Sequence, residues 1–132
     1  MIFRRILGLL GLFHLINGLT MILAPGYWYA TVPGVSLTGP INHHFITDIG
    51  LAFVASGAGM LAALRPGRTA MTLALAGTIW PALHALFHIF EWLTDGFPHD
   101  AQIVFSEVVG VVAIGLVGIT FAFIEARKEG AI

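Results

Sequence analysis

Residues 69–93, TAMTLALAGTIWPALHALFHIFEWL, decide the fold. The run carries a single charged side chain, Glu91, and is bounded by Arg68 before it and Asp95 after it. A helix needs roughly 20 residues to cross a hydrocarbon core about 30 Å thick, and this stretch is long enough to do so. Pro81 lies inside it, where a missing backbone N–H predicts a kink.

Three other runs have the same character. One extends from about residue 6 to 24 and ends at Pro25-Gly26; another, from about 45 to 64, stops at Arg65-Pro66-Gly67-Arg68; the last covers about 101 to 124. The chain as a whole is 58% hydrophobic and only 10% charged, with a mean hydropathy of +0.92. Soluble domains average roughly 25% charged residues. A water-soluble fold of 132 residues has too little interior to hide so much apolar surface, which excludes a soluble enzyme or binding module. The sequence therefore reads as one all-α domain, residues 1–132, a four-helix bundle embedded in the lipid bilayer. The first run resembles a signal peptide in its basic start, Arg4-Arg5. Its apolar core exceeds the 7–15 residues or so of a signal h-region, and Pro25 occupies the natural processing point, so it reads as a retained helix.

Orientation follows from charge. Arg4, Arg5, Arg65, Arg68, Arg127 and Lys128 are all of the basic residues, and all fall on one side of the four spans. The positive-inside rule makes that side, with both termini, cytoplasmic. Residues 25–44 and 94–100 then lie outside, with Tyr27, Trp28, Tyr29 and Trp92 at the outer interface, where amphipathic rings are favoured. The longer outer segment is too short for a domain. Pro33-Gly34 and Gly39-Pro40 punctuate it as turns, so it is expected to cap the bundle. A compact, loop-poor chain of this kind suits a bacterial inner membrane. Ser56, Gly57 and Gly59 on the second helix, with Gly110, Gly115 and Gly118 on the fourth, permit close helix packing within the bundle or between subunits of a homo-oligomer.

Net charge is −1 and the pI is near 6.6, so there is no basic surface for nucleic acid. The absence of cysteine excludes disulfides, thiolate metal sites and cysteine nucleophiles. Six histidines in so apolar a chain are the most informative residues. His44 and Asp48 are spaced i,i+4; His84, His88 and Glu91 are i, i+4 and i+7; His14 and Asn17 are i,i+3. Each set shares one helical face. His14 and His84 fall near mid-membrane, while His44, Asp48, His88, Glu91 and Glu107 lie in the outer half. Ionisable groups in lipid cost several kcal/mol each, so these faces are expected to turn inward and meet. The inner half holds no ionisable residue until the flanking basic ones.

Imidazole and carboxylate donors suit Zn, Fe, Mn or Cu. Helix bundles hold such ions with ligands from facing helices, and neighbouring carboxylates orient the imidazoles. The expected donor set is His44, Asp48, His84, His88, Glu91 and Glu107. His14 reads as a packing residue bonded to Asn17 or Thr20, or, with Asn17, as part of a cofactor site. His43, His99, Asp95 and Asp100 read as solvated loop residues, which also offer cations an approach path on a face without basic residues. Three other classes stand beside the metal reading. His14 with His84 or His88 has the makings of axial haem ligation, for which Gly11 and Gly18 would make room. The acid and His groups also suit a quinone-type or proton-coupled pocket. Finally, the polar face would serve an accessory subunit docking onto a larger membrane complex. No nucleophile–base–oxyanion arrangement is visible, so any catalysis would come from the metal.

In plan the chain resembles the small four-helix membrane proteins grouped as DoxX-like. The features that carry the resemblance are Gly8, Gly11, Gly18 and Pro25 in and after the first helix. The second-helix start His44-Phe45-Ile46-Thr47-Asp48-Ile49-Gly50 and the Arg65-Pro66 exit also contribute. The resemblance implies the four-helix architecture. The run from His84 to Glu91 is not among the features that carry it.

Overall fold

A computed structural model describes residues 1–132, and every regular element in it is helical. These are α1 (Ile2–Leu23), α2 (Pro25–Thr31), α3 (His43–Leu61), α4 (Arg68–Thr94), α5 (Ala101–Glu107) and α6 (Ile114–Lys128). A 3-10 turn over Ala62–Leu64 extends α3, and a π-helical segment, Val108–Ala113, joins α5 and α6 into one rod. Four runs are long and apolar enough to cross a membrane: Ile2–Leu23, His43–Leu64, Arg68–Thr94 and Ala101–Lys128. They match the four expected stretches with ends displaced by a few residues. Helix α4 passes Pro81 unbroken. The short α2 was not expected; Pro25 stands at its first turn, where a fixed φ and a missing N–H cost nothing.

Within each span, no more than 33% of the most apolar window is buried inside the protein. Leu9, Phe13, Ile16, Leu83, Leu86, Phe90 and Phe105 all face outward. Such a surface is stable against hydrocarbon and unstable against water.

What joins the helices is close backbone approach at small residues, since lipid removes the hydrophobic drive between them. Neighbours are antiparallel, in the order α1, α3, α4, α6. Along the α1–α3 seam, a Cβ on Gly18 would lie 2.6 Å from the Gly50 carbonyl oxygen. One on Gly57 would lie 2.6 Å from that of Gly11. The α3–α4 seam closes at Gly59 and Gly77, where a Cβ on the latter would sit 2.7 Å from the Ser56 carbonyl oxygen. The α4–α6 seam closes where Gly115 meets the Pro81 carbonyl. Helix α1 completes the ring against α6 only at the end bearing the termini. There Phe3 stacks on Phe121 with centroids 4.3 Å apart, and Leu7, Ala63, Met71, Ala74, Ala122 and Ala126 form a buried core. Towards the other end α1 and α5 diverge, leaving a groove of about 730 Å³ whose walls include Phe13, Phe105, Val109 and Ile114. Gly110 faces this opening, and a Cβ there would meet nothing within 4 Å. Of the small residues marked for close packing, Gly57, Gly59 and Gly115 fill that role, Gly118 makes only ordinary contact, and Gly110 makes none.

Glu125 departs from expectation. It is only 4% exposed, although this half of the bundle was expected to hold no ionisable group within its spans. Helix α6 continues past Ile124 and carries Glu125 beneath α1, where it accepts from Arg4 Nε at 3.0 Å and Lys128 Nζ at 2.6 Å. Arg4 also pairs with Glu129 and donates to the Arg65 carbonyl oxygen at 3.3 Å. One guanidinium thus ties together the first helix, the last helix and the connection between α3 and α4.

Two predictions follow from these seams. Gly57→Ala should lower stability by about 1–3 kcal/mol through backbone overpacking. Gly110→Ala should be neutral or stabilising by up to about 1 kcal/mol, because helix propensity improves without a clash. Thermal melts of both variants in detergent check this pair. Removing either Arg4 or Glu125 alone should cost about 3 kcal/mol, and the Arg4→Met/Glu125→Leu double variant should cost less than the two singles combined. A double-mutant cycle on unfolding provides the measurement.

Candidate polar site

Helix α4 places His84, His88 and Glu91 on one stripe, and α5 brings Glu107 to it from the facing element. His88 Nδ1 lies 3.5 Å from Glu91 Oε2 and 3.8 Å from Glu107 Oε2. Both separations exceed hydrogen-bond length. This nitrogen is buried and has no hydrogen-bond partner. Glu107 Oε2 also accepts from Trp92 Nε1 at 2.7 Å, which ties α4 to α5.

The π-helical segment explains how Glu107 reaches this position. In an unbroken α-helix, Glu107 and Gly115 would point about 80° apart. One residue absorbed by the wide turn reduces the angle to about 20°. Both then face α4: Gly115 at the Pro81 backbone, Glu107 at His88 and Trp92. Nothing in the valine-rich run from 108 to 113 signals this turn in the sequence.

Deeper in the bundle lies a second polar group. The His84 ring stacks on Trp80 at 5.5 Å between centroids and meets His88 edge-on at 4.9 Å. His14 is 3% exposed and packs against Phe53 at 5.4 Å. Its Nδ1 donates to the Leu10 carbonyl oxygen at 2.8 Å, rather than bonding to Asn17 or Thr20. His14, Phe53, Pro81, His84, Gly110 and Val111 line a cavity of about 10 Å³. Asn17 is occupied elsewhere: its Oδ1 accepts from Trp28 Nε1 at 2.8 Å and fastens α2 to α1. Gly11 and Gly18, which haem ligation would need beside His14, are pressed against the α3 backbone.

His44 and Asp48 stand apart from both groups. They face each other at 3.3 Å with side chains 88% and 55% exposed. The glycine seam turns Ile46, Gly50 and Gly57 inward instead, so the pair does not join the residues of α4 and α5. Asp95, His99 and Asp100 are exposed, as expected of loop residues; His43 is exposed too but opens helix α3 rather than lying in the loop. Asp100 has a structural duty as well, since its carboxylate accepts from the Gln102 and Ile103 backbone N–H groups and caps α5. Asn42 caps α3 in the same way through Phe45 N–H.

The structure thus divides the candidate residues into three places. His88, Glu91 and Glu107 converge; His14 and His84 share a cavity next to them; His44 and Asp48 pair at the surface. No three of the His, Asp and Glu side chains stand preassembled as a metal cage. Comparison of the chain with protein-family models, with curated proteins and with solved structures finds no match.

The surface pair and the interhelical tie should respond differently to substitution. The double variant His44→Ala/Asp48→Ala should shift stability by less than about 0.5 kcal/mol. Trp92→Phe should cost about 1–3 kcal/mol by leaving a half-buried carboxylate without its donor. Melting curves in one detergent compare the two directly.

Proposed function

We propose that the chain is an integral membrane protein of the bacterial inner-membrane type, with both termini cytoplasmic, that holds a transition metal ion at His88, Glu91 and Glu107 near its outer face. The observation that carries the proposal is the buried, unpartnered Nδ1 of His88 between two carboxylates. A lone pair facing two anions is unfavourable unless something positive lies between them. A proton on Nδ1 would draw a carboxylate in to about 2.7–2.9 Å. The observed separations are nearer the roughly 3.3 Å between two ligands of one tetrahedral ion with bonds of about 2.0–2.1 Å. Zn, Fe, Mn and Cu all accept this donor set. Binding would require Glu107 to share Oε2 with, or release it from, Trp92. His84 would act as the aromatic wall behind His88, and His44 and Asp48 would play no part. We carry the DoxX-like resemblance forward as an assignment of architecture, with segment 25–42 over the outer end of the bundle.

Elemental analysis of desalted, detergent-purified protein after exposure to each ion in turn is the direct test. About one ion per chain should be retained, lost in His88→Ala and Glu107→Gln, and kept in His44→Ala/Asp48→Ala. Glutamine preserves the oxygen that Trp92 needs, so Glu107→Gln separates metal loss from misfolding. Failure of all four ions to be retained would overturn the reading. Orientation is tested separately, using the absence of native cysteine. A membrane-impermeant maleimide should label Ser36→Cys in intact spheroplasts, and Ile132→Cys only after permeabilisation.

A further inference from the structure

We propose that the cavity between His14 and His84 is the deep end of a binding site for a membrane-soluble aromatic alcohol, reached sideways through the groove between α1 and α5. The site does not depend on the metal reading, because none of His88, Glu91 and Glu107 lines it.

Hydrogen-bond accounting comes first. A carbonyl oxygen can only accept, so His14 Nδ1 carries the proton given to Leu10, and in the neutral ring Nε2 is left with a lone pair. The ring of His84 lines the same cavity, makes no hydrogen bond within the protein, and when neutral carries one N–H donor and one acceptor nitrogen. Polar atoms left unpaired in the interior of a membrane bundle are costly. A cavity of about 10 Å³ holds one oxygen atom and little more. A hydroxyl has the valence to serve both rings through that one atom, donating to His14 Nε2 and accepting from a His84 N–H. An ether or carbonyl oxygen satisfies only the second.

The body of the ligand is set by what adjoins the cavity. Gly110 lines both the small cavity and the groove of about 730 Å³, so no side chain stands between them at that position. Phe13 and Phe105 wall the groove, Phe53 flanks the cavity, and the lining is predominantly apolar, with Gln102 and Ser106 as its polar side chains. A bilayer phospholipid has the wrong polarity for this site: its oxygens lie at the interface and its methyl ends at the depth of His14 and His84. A flat apolar ring with a hydroxyl at its leading edge matches both parts. Porphyrin does not fit between His14 and His84, where the space is only about 10 Å³.

The indole N–H signals of the three tryptophans give a selective readout. Those of Trp28 and Trp92 are hydrogen-bonded within the protein, whereas Trp80 Nε1 has no partner and its ring stacks on His84. In ¹⁵N-labelled protein in micelles, 2-naphthol should move the Trp80 signal saturably and leave the other two in place. 2-Fluoronaphthalene, which is nearly the same size but cannot donate, should bind at least about tenfold more weakly. Gly110→Leu should abolish the 2-naphthol response with the Trp28 and Trp92 signals unchanged, since the open space at residue 110 tolerates a side chain. His14→Phe should abolish it as well. An equal response to 2-fluoronaphthalene, an undiminished response in Gly110→Leu, or no movement of Trp80 would overturn the proposal.

Discussion

The close approach of the α1 and α3 backbones at Gly11 and Gly57, repeated at Gly18 and Gly50, is the constraint on which the other arrangements depend. Two helices pressed together at their backbones cannot rotate against each other. The seam fixes which face of α3 is interior, and a similar approach at Gly59 and Gly77 fixes α4 relative to α3. The Gly115–Pro81 contact then sets α6. Three seams are closed by glycine and the fourth is not. Helix α1 meets α6 through Phe3, Phe121 and the Arg4–Glu125 pair at one end, and at the other it stands away from α5. The lateral groove is therefore a consequence of where the glycines are.

The polar residues sort themselves within that frame. In hydrocarbon a carboxylate needs a partner, and Glu107 finds one in Trp92 because the π-helical turn aims it at α4, where His88 Nδ1 also lies 3.8 Å away. Glu125 finds Arg4 and Lys128 at the opposite end of the same rod. Between these ends the bundle offers nitrogen but no carboxylate, with His14 and His84 facing a small cavity across from Phe53. Carboxylates thus gather at the two ends of the bundle, and His14 and His84 lie between them. That division sets the proposed metal site and the proposed hydroxyl site at different heights along a single helix, α4.

The four spans were legible in the sequence because length and hydropathy depend on composition within a window, which no tertiary contact alters. The shared face of His84, His88 and Glu91 was legible too, because α4 keeps its own periodicity, whereas the direction of Glu107 was not, since it depends on the π-helical segment. Rotation was not legible. Nothing local to His44 and Asp48 reveals that Gly50 and Gly57, on another face of the same helix, would claim the interior. Gly11 and Gly18 looked like room for a cofactor beside His14, yet their absent side chains are filled by another helix's backbone. Glu125 escaped notice because hydropathy ends the span at Ile124, one residue before a carboxylate that Arg4 makes tolerable. The π-helical turn left no trace in residue type at all.

X-ray absorption at the metal edge of zinc-loaded protein tests the central claim most directly, that His88 and the two glutamates are drawn together by a cation. The account predicts a first shell of nitrogen and oxygen only, at about 2.0–2.1 Å, with a single imidazole contributing to the outer-shell scattering. That imidazole signal should vanish in His88→Ala and persist in His44→Ala/Asp48→Ala. A shell that includes two or more imidazoles, or one unchanged by His88→Ala, would contradict it.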